Sequence, residues 1–193
     1  KITLNSIASL TWQKSMRWSD KNLLWGRPLR SILAIFSKKI LSFNYGHLKS
    51  SEFTIIEKDL GKITKKIKNF SEYQLFLKNN NIILDQEERR KKIIKKFESV
   101  CKNKMYQNTF DKYLLDEVVN IVEDPNVLLI EFNKNYLDIP KEVIISTLQN
   151  HQRYFPLFDS RDNLTNSFFV VANKADNKNL IKEGNKKVVE ARL

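Results

Sequence analysis

The chain has 193 residues, 41% apolar and 11% aromatic, with four Gly, four Pro and one Cys, and it carries 34 Lys plus Arg against 22 Asp plus Glu for a net charge of +12. This composition excludes disordered and collagen-like sequence, an internal disulfide and, since no apolar run nears ~20 residues, a membrane-spanning helix. Nothing at the start has the layout of a signal peptide, so a soluble, cytoplasmic globular chain is expected. Ile2, Leu4, Ile7 and Leu10 open the chain with a helical pattern, and a Trp- and Arg-rich loop is expected over residues 12–25. Residues 27–36 and 40–47, joined by Ser37-Lys38-Lys39, read as a β-hairpin, and residues 52–56 as a further strand. The lysine-rich stretch 57–69 is weakly periodic and reads as a linker, which divides the chain into a subdomain over 1–60 and another over 61–193.

Four helices are signalled by their ends. Ser71 is placed to cap a helix through Lys78, with Phe70 and Leu75 at hydrophobic-staple spacing. Asp85 and Glu88 are spaced as a capping box for a helix to about Lys104, whose apolar face is Ile93, Ile94, Phe97 and Cys101. Leu114, Leu115, Val118, Val119 and Val122 stripe the next helix, which Asp124-Pro125 ends. Pro140 suits the first turn of a helix through Gln149. Residues 127–132 read as a strand, residues 154–158 and 168–172 as a hairpin, and a last helix runs from about Asn179. The order of elements predicts an α+β fold of antiparallel hairpins and mixed sheet packed with several helices. The chain starts without Met and stops inside a helix-like run, so a fragment of a larger protein is expected.

The excess of positive charge points to a polyanionic partner such as nucleic acid. The 26 Lys, 20 Asn and 19 Ile also match what an AT-rich genome imposes on any protein, and both readings stand at this point.

Motif chemistry reveals no active site. His47 and His151 have no second His or Cys at metal-ligand spacing, and Cys101 sits on a predicted core face. Gly184-Asn185-Lys186-Lys187 lacks the second glycine and preceding strand of a phosphate loop and reads better as a solvated helix start. Three basic and aromatic clusters remain. Residues 86–104 carry eight basic and three acidic side chains; Arg89, Arg90, Lys91, Lys92, Lys95 and Lys96 are expected opposite the apolar stripe, with Arg89, Arg90, Lys92 and Lys96 lying along a phosphate backbone. Trp12, Trp18 and Trp25 interleave with Arg17, Arg27 and Arg30, either as stacking and cation–π partners or as core anchors. His151, Gln152, Arg153, Tyr154 and Phe155 form a helix-to-strand corner, where alternation predicts one ring in the core and one near the surface, with His151 exposed. The candidate contacts to nucleic acid are thus Arg17, Arg27, Arg30, Arg89, Arg90, Lys92, Lys96, His151, Arg153 and Tyr154, with no catalytic or metal-binding residue.

Several stretches resemble one family. Lys14-Ser15-Met16-Arg17-Trp18 followed by Arg27-Pro28-Leu29-Arg30 is similar to the KxMRW…RPxH pattern of the β subunit of bacterial glycyl-tRNA synthetase, the α2β2 type. Tyr45-Gly46-His47 resembles its GHRF turn and residues 85–93 its strand-to-helix segment with paired Arg. His151-Gln152-Arg153-Tyr154-Phe155-Pro156, then Phe169-Val170-Val171-Ala172-Asn173, resembles its HQKYFP…FxxVAN signature, and residues 184–193 its GNEKVxxARL signature. The six matches run in register over residues 12–193. Leu48, Leu29-Arg30, Lys187 and Glu190 depart from the family's pattern.

The resemblance implies a part in the ATP-dependent attachment of glycine to tRNA(Gly). It implies that the catalytic core, with its ATP, Mg and glycine sites, belongs to the α subunit of an α2β2 heterotetramer, and that this piece holds tRNA and the α subunit, with no cofactor of its own. It further implies a B3/B4-like region. Two other readings stay open: a B3/B4-like domain hydrolysing mischarged aminoacyl-tRNA, and a non-catalytic assembly scaffold.

Overall fold

The computed structural model describes residues 2–18, 23–58, 61–107 and 109–193, and of Trp18 and Lys58 the backbone alone. The chain is an α+β fold, with six α-helices and several small sheets among the described residues, and it divides into two units, Lys1–Asn79 and Asn80–Leu193.

The first unit is built from short ladders. Helix α1 (Ile2–Ala8) buries none of its residues. Strands β1 (Met16–Trp18) and β2 (Leu23–Trp25) pair antiparallel, so part of the expected Trp–Arg loop is a hairpin; its residues 19–22 lie outside the described residues. Strands β3 (Ile32–Leu33), β4 (Ile35–Phe36), β5 (Lys39–Ile40), β6 (Asn44–Tyr45) and β7 (Leu48–Ser51) follow. The turn Ser37-Lys38 joins β4 to β5 as expected, with both residues at positive φ, the backbone that matches strand twist in a two-residue hairpin. Gly46 (φ +59) turns β6 into β7, where a Cβ would also stand 3.1 Å from Leu23.

The stretch read as a linker is a strand. β8 (Phe53–Lys58) pairs antiparallel with β9 (Gly61–Lys66) through Ile56↔Ile63 and Thr54↔Lys65. Every residue of β9 is exposed, so it has no apolar face for alternation to reveal. Helix α2 (Phe70–Asn79) closes the unit. It is capped two residues earlier than its sequence suggests: Asn69 Oδ1 accepts the Glu72 N–H at 2.9 Å, and Glu72 Oε2 accepts the Lys68 N–H at 3.0 Å. Ser71 is therefore inside the helix, and Phe70 and Leu75, 63% and 58% exposed, form no staple.

The second unit is layered. Helices α3 (Gln86–Lys104) and α4 (Lys112–Ile121) begin at Asp85 and Asp111, whose carboxylates accept the Glu88 and Leu114 N–H groups, each at 2.9 Å. Strands β10 (Asn126–Glu131), β11 (Phe155–Phe158) and β12 (Leu164–Ala172) form one antiparallel sheet in the order β10-β12-β11. Helix α5 (Lys141–Ser146) runs into a π-helical turn (Thr147–His151), and α6 (Leu180–Glu190) follows the sheet. The α6 cap is Asp176, whose two oxygens accept the Ile181 and Lys182 N–H groups.

Side-chain alternation then builds two cores. Phe155, Leu157 and Phe169 point to one face of the sheet and pack with Ile93, Phe97 and Cys101 of α3 and the apolar stripe of α4. Ile130, Tyr154, Phe168 and Val170 point to the other, packing with Ile144, Leu148 and Val189 of the later helices. Tyr154 and Phe155 do face opposite ways, but helices cover both faces and both rings are buried, which corrects the expectation of one surface ring.

Candidate nucleic-acid interface

Helix α3 is where the charge is densest, and helical phase decides what each cation can do. Arg89 lies four residues before Ile93, on the side that meets α4, and is only 8% exposed. Its Nε donates to the Val119 carbonyl at 3.0 Å, and its Nη1 to the carbonyls of Ile83 at 2.6 Å and Leu84 at 2.9 Å. Val119 is in the last turn of α4, where carbonyls lack intrahelical partners. The guanidinium fork satisfies such a group from outside, so Arg89 is a structural cap and not part of an open basic face. Arg90 is held by Glu87 (3.2 Å) and by Asp116, and its basicity is raised above the usual arginine value chiefly by the Asp116 hydrogen bond. Lys92 Nζ stands 3.2 Å from Asp124. Of the four residues expected to contact the phosphate backbone, only Lys96 is exposed with no ion pair among the described residues. Lys91, Lys95 and Lys102 share that condition, and periodicity alone did not separate them from their paired neighbours.

The helix-to-strand corner divides in the same way. His151 is exposed at the end of the π-helical turn, as expected. Arg153 adopts φ +59, the left-handed backbone that ends a helix. Its Nε meets Glu117 at 2.8 Å, and its Nη1 donates to the carbonyls of Gln149 and Asn150, so it caps the turn it terminates. The Tyr154 hydroxyl donates to Asn185 Oδ1, its ring stacks on Phe168 at 5.3 Å, and burial pushes its phenol above the usual tyrosine range. At 7% exposure Tyr154 offers no face to a nucleotide.

The motifs behind the resemblance are largely stitching. Asn173 Oδ1 accepts the N–H groups of Glu123 (2.7 Å) and Asp124 (2.8 Å). Asn185 links Tyr154 to the Ile181 carbonyl, and Glu190 accepts the Asn133 N–H at 2.9 Å. Local patterning gave no sign of these roles because each partner lies far away in sequence, except Ile181.

In the first unit Arg17 and Arg27 are exposed, while Arg30 pairs with Glu57. Trp12 and Trp25 lie 4.9 Å apart, and Tyr45 meets Trp25 edge-on at 5.8 Å. A Cβ on Gly26 would stand 3.0 Å from the Trp12 ring, so that glycine lets the indole lie against backbone.

Among the described residues no three His, Cys, Asp or Glu side chains group to hold a metal. Gly184 lies inside α6, and burial raises the Cys101 thiol above its ordinary value, away from nucleophilic use.

The family model described as glycyl-tRNA synthetase beta subunit matches residues 1–193. A glycine–tRNA ligase beta subunit of Dictyoglomus thermophilum is 37% identical over 97% of this chain and 27% of its own length. Those of Rickettsia canadensis and Clostridioides difficile are 36% and 37% identical over the whole chain and 29% and 28% of theirs. The chain thus spans under a third of these relatives, and with the match running end to end it belongs to the glycyl-tRNA synthetase β-subunit family.

Proposed function

We propose that this chain is a segment of a glycine–tRNA ligase β subunit that supports ATP-dependent attachment of glycine to tRNA by holding tRNA and the catalytic α subunit. The observation that carries the reading is the family match over all 193 residues. On this reading ATP, Mg and the chemistry belong to the α subunit of an α2β2 assembly. Among the described residues no helix is long and apolar enough to cross a membrane; the reading itself places the work of the subunit in the cytoplasm. Among the candidates for tRNA contact named at the outset, Arg17, Arg27, Lys96 and His151 are exposed with no ion pair among the described residues, and Arg30 and Lys92 are exposed in surface ion pairs.

Reconstitution tests this. Intact α and β subunits together, given glycine, ATP, Mg and tRNA(Gly), form glycyl-tRNA, and the β subunit alone forms none. Glycyl-tRNA made at full rate by α without β, or by β without α, overturns the reading.

A further inference from the structure

We propose that Lys91, Lys95 and Lys102 of α3 form a stripe that takes the sugar-phosphate backbone of tRNA, an inference that rests on the reading that the β subunit holds tRNA. At about 100° per residue, Lys95 lies roughly 40° and Lys102 roughly 20° around the helix from Lys91, and the three span ~16 Å of its axis. The buried side of α3 faces away from this stripe, and all three lysines are exposed. None has an ion pair among the described residues, whereas Arg90 and Lys92 nearby are held by carboxylates. The helix's positive charge is therefore paired at Arg90 and Lys92 and left open along this line, as it is at Lys96 and Lys104.

The chemistry of the stripe selects the partner. Lysine ammoniums are point charges that suit phosphates without reading sequence. Between Lys91 and Lys102 no apolar side chain lies within about 40° of the line, and lysine is depleted from protein–protein interfaces, so RNA fits better than a protein surface. One acidic side chain interrupts it: Glu98, about 20° from Lys91, is exposed and forms no ion pair among the described residues. A phosphate backbone on the stripe is repelled by Glu98, and removing that charge must strengthen binding.

The test uses the intact β subunit with its α partner and a tRNA(Gly) transcript, titrated between 50 and 200 mM salt. A K91E/K95E/K102E variant is compared with K134E/K141E/K178E, which changes net charge equally at exposed lysines outside α3. With about 0.7–0.9 counterions released per contact, the stripe variant lowers the slope of log K against log salt by about 2 to 3. The unaltered subunit then loses about 30-fold more affinity over that salt range than the variant does. E98Q tightens binding by roughly twofold to fivefold. A K91Q/K95Q/K102Q variant reproduces the loss in smaller measure, and KM for tRNA rises while kcat holds. Equal losses in the two triple variants, or unchanged tRNA binding with loss of the α subunit, overturn the stripe while leaving the β subunit a tRNA binder. Failure of the unaltered subunit to bind tRNA at 50 mM salt overturns the reading beneath it.

Discussion

The N-terminal unit buries four apolar side chains, Leu23, Ile56, Ile67 and Leu77, among the described residues, whereas the C-terminal unit buries twenty. Strand length and pairing account for the difference. Strands of the first unit are two to six residues long and pair in separate small ladders, too narrow to offer a wide face for burial. In the second unit three strands of four to nine residues share one sheet, and helices cover both its faces. The contrast governs the charges as well. Where the core is deep, arginines are drawn into capping carbonyls, as Arg89 and Arg153 are, and lysines keep the solvent side. Where it is shallow, Arg17 and Arg27 stay exposed, and Trp12, Trp25 and Tyr45 pack against one another.

The comparison is most open to attack at Phe97. Its ring stacks on Phe169 at 4.5 Å and meets Phe155 at 4.9 Å and Phe110 at 5.6 Å edge-on. Phe97→Ala is expected to remove about 3–5 kcal/mol from the C-terminal unit, read as an earlier urea midpoint by helical circular dichroism. All three Trp lie within residues 12–25, so their fluorescence reports the N-terminal unit, and its midpoint should hold. If both probes shift together, the chain unfolds as one cooperative body and the contrast between units is lost.

Arg89 comes next in size. Arg89→Met leaves the carbonyls of Ile83, Leu84 and Val119 without their donor and is expected to destabilise by about 2–3 kcal/mol. The salt slope of tRNA binding by the intact subunit should not change, because this guanidinium does not face solvent. A slope lowered by about 1 would return Arg89 to the RNA surface.

The same two regions explain what could be read in the sequence. The cap Asp85 and the apolar stripes of α3 and α4 are local signals, and each is found where its pattern placed it. Strand β9 was hidden because Lys62 and Lys66 occupy one of its faces and Lys65 joins Ile63 on the other, so neither face reads as apolar. The basic face of α3 was misjudged at Arg89 because phase alone places position 89 within about 60° of both Lys92 and Ile93; the orphan carbonyl of Val119, thirty positions onward, decides its side. The rings of Tyr154 and Phe155 alternate as strand geometry requires, but nothing local to them announces that α6 covers the second face. The family motifs were legible as a pattern and silent as to role, since Asn173 and Asn185 act on Glu123 and Tyr154, far from them in sequence.

The smallest effect is expected at the start of α2, where two accounts of one helix end differ. If Phe70 and Leu75 stapled the helix, polar replacement of Phe70 would remove a buried contact. Both are exposed, so Phe70→Ser should change stability by no more than about 0.5 kcal/mol. The end is held instead by Asn69, whose Oδ1 takes the Glu72 N–H, and Asn69→Ala should destabilise by about 1 kcal/mol because that N–H loses its acceptor. Glu72 adds to the same end by accepting the Lys68 N–H, so a Glu72→Ala change should act in the same direction. Urea unfolding followed by tryptophan fluorescence reads all three in the unit that holds α2. A larger loss from Phe70→Ser than from Asn69→Ala would mean that Phe70 is covered in solution, and the N-terminal unit would then have a deeper core than its four buried side chains provide.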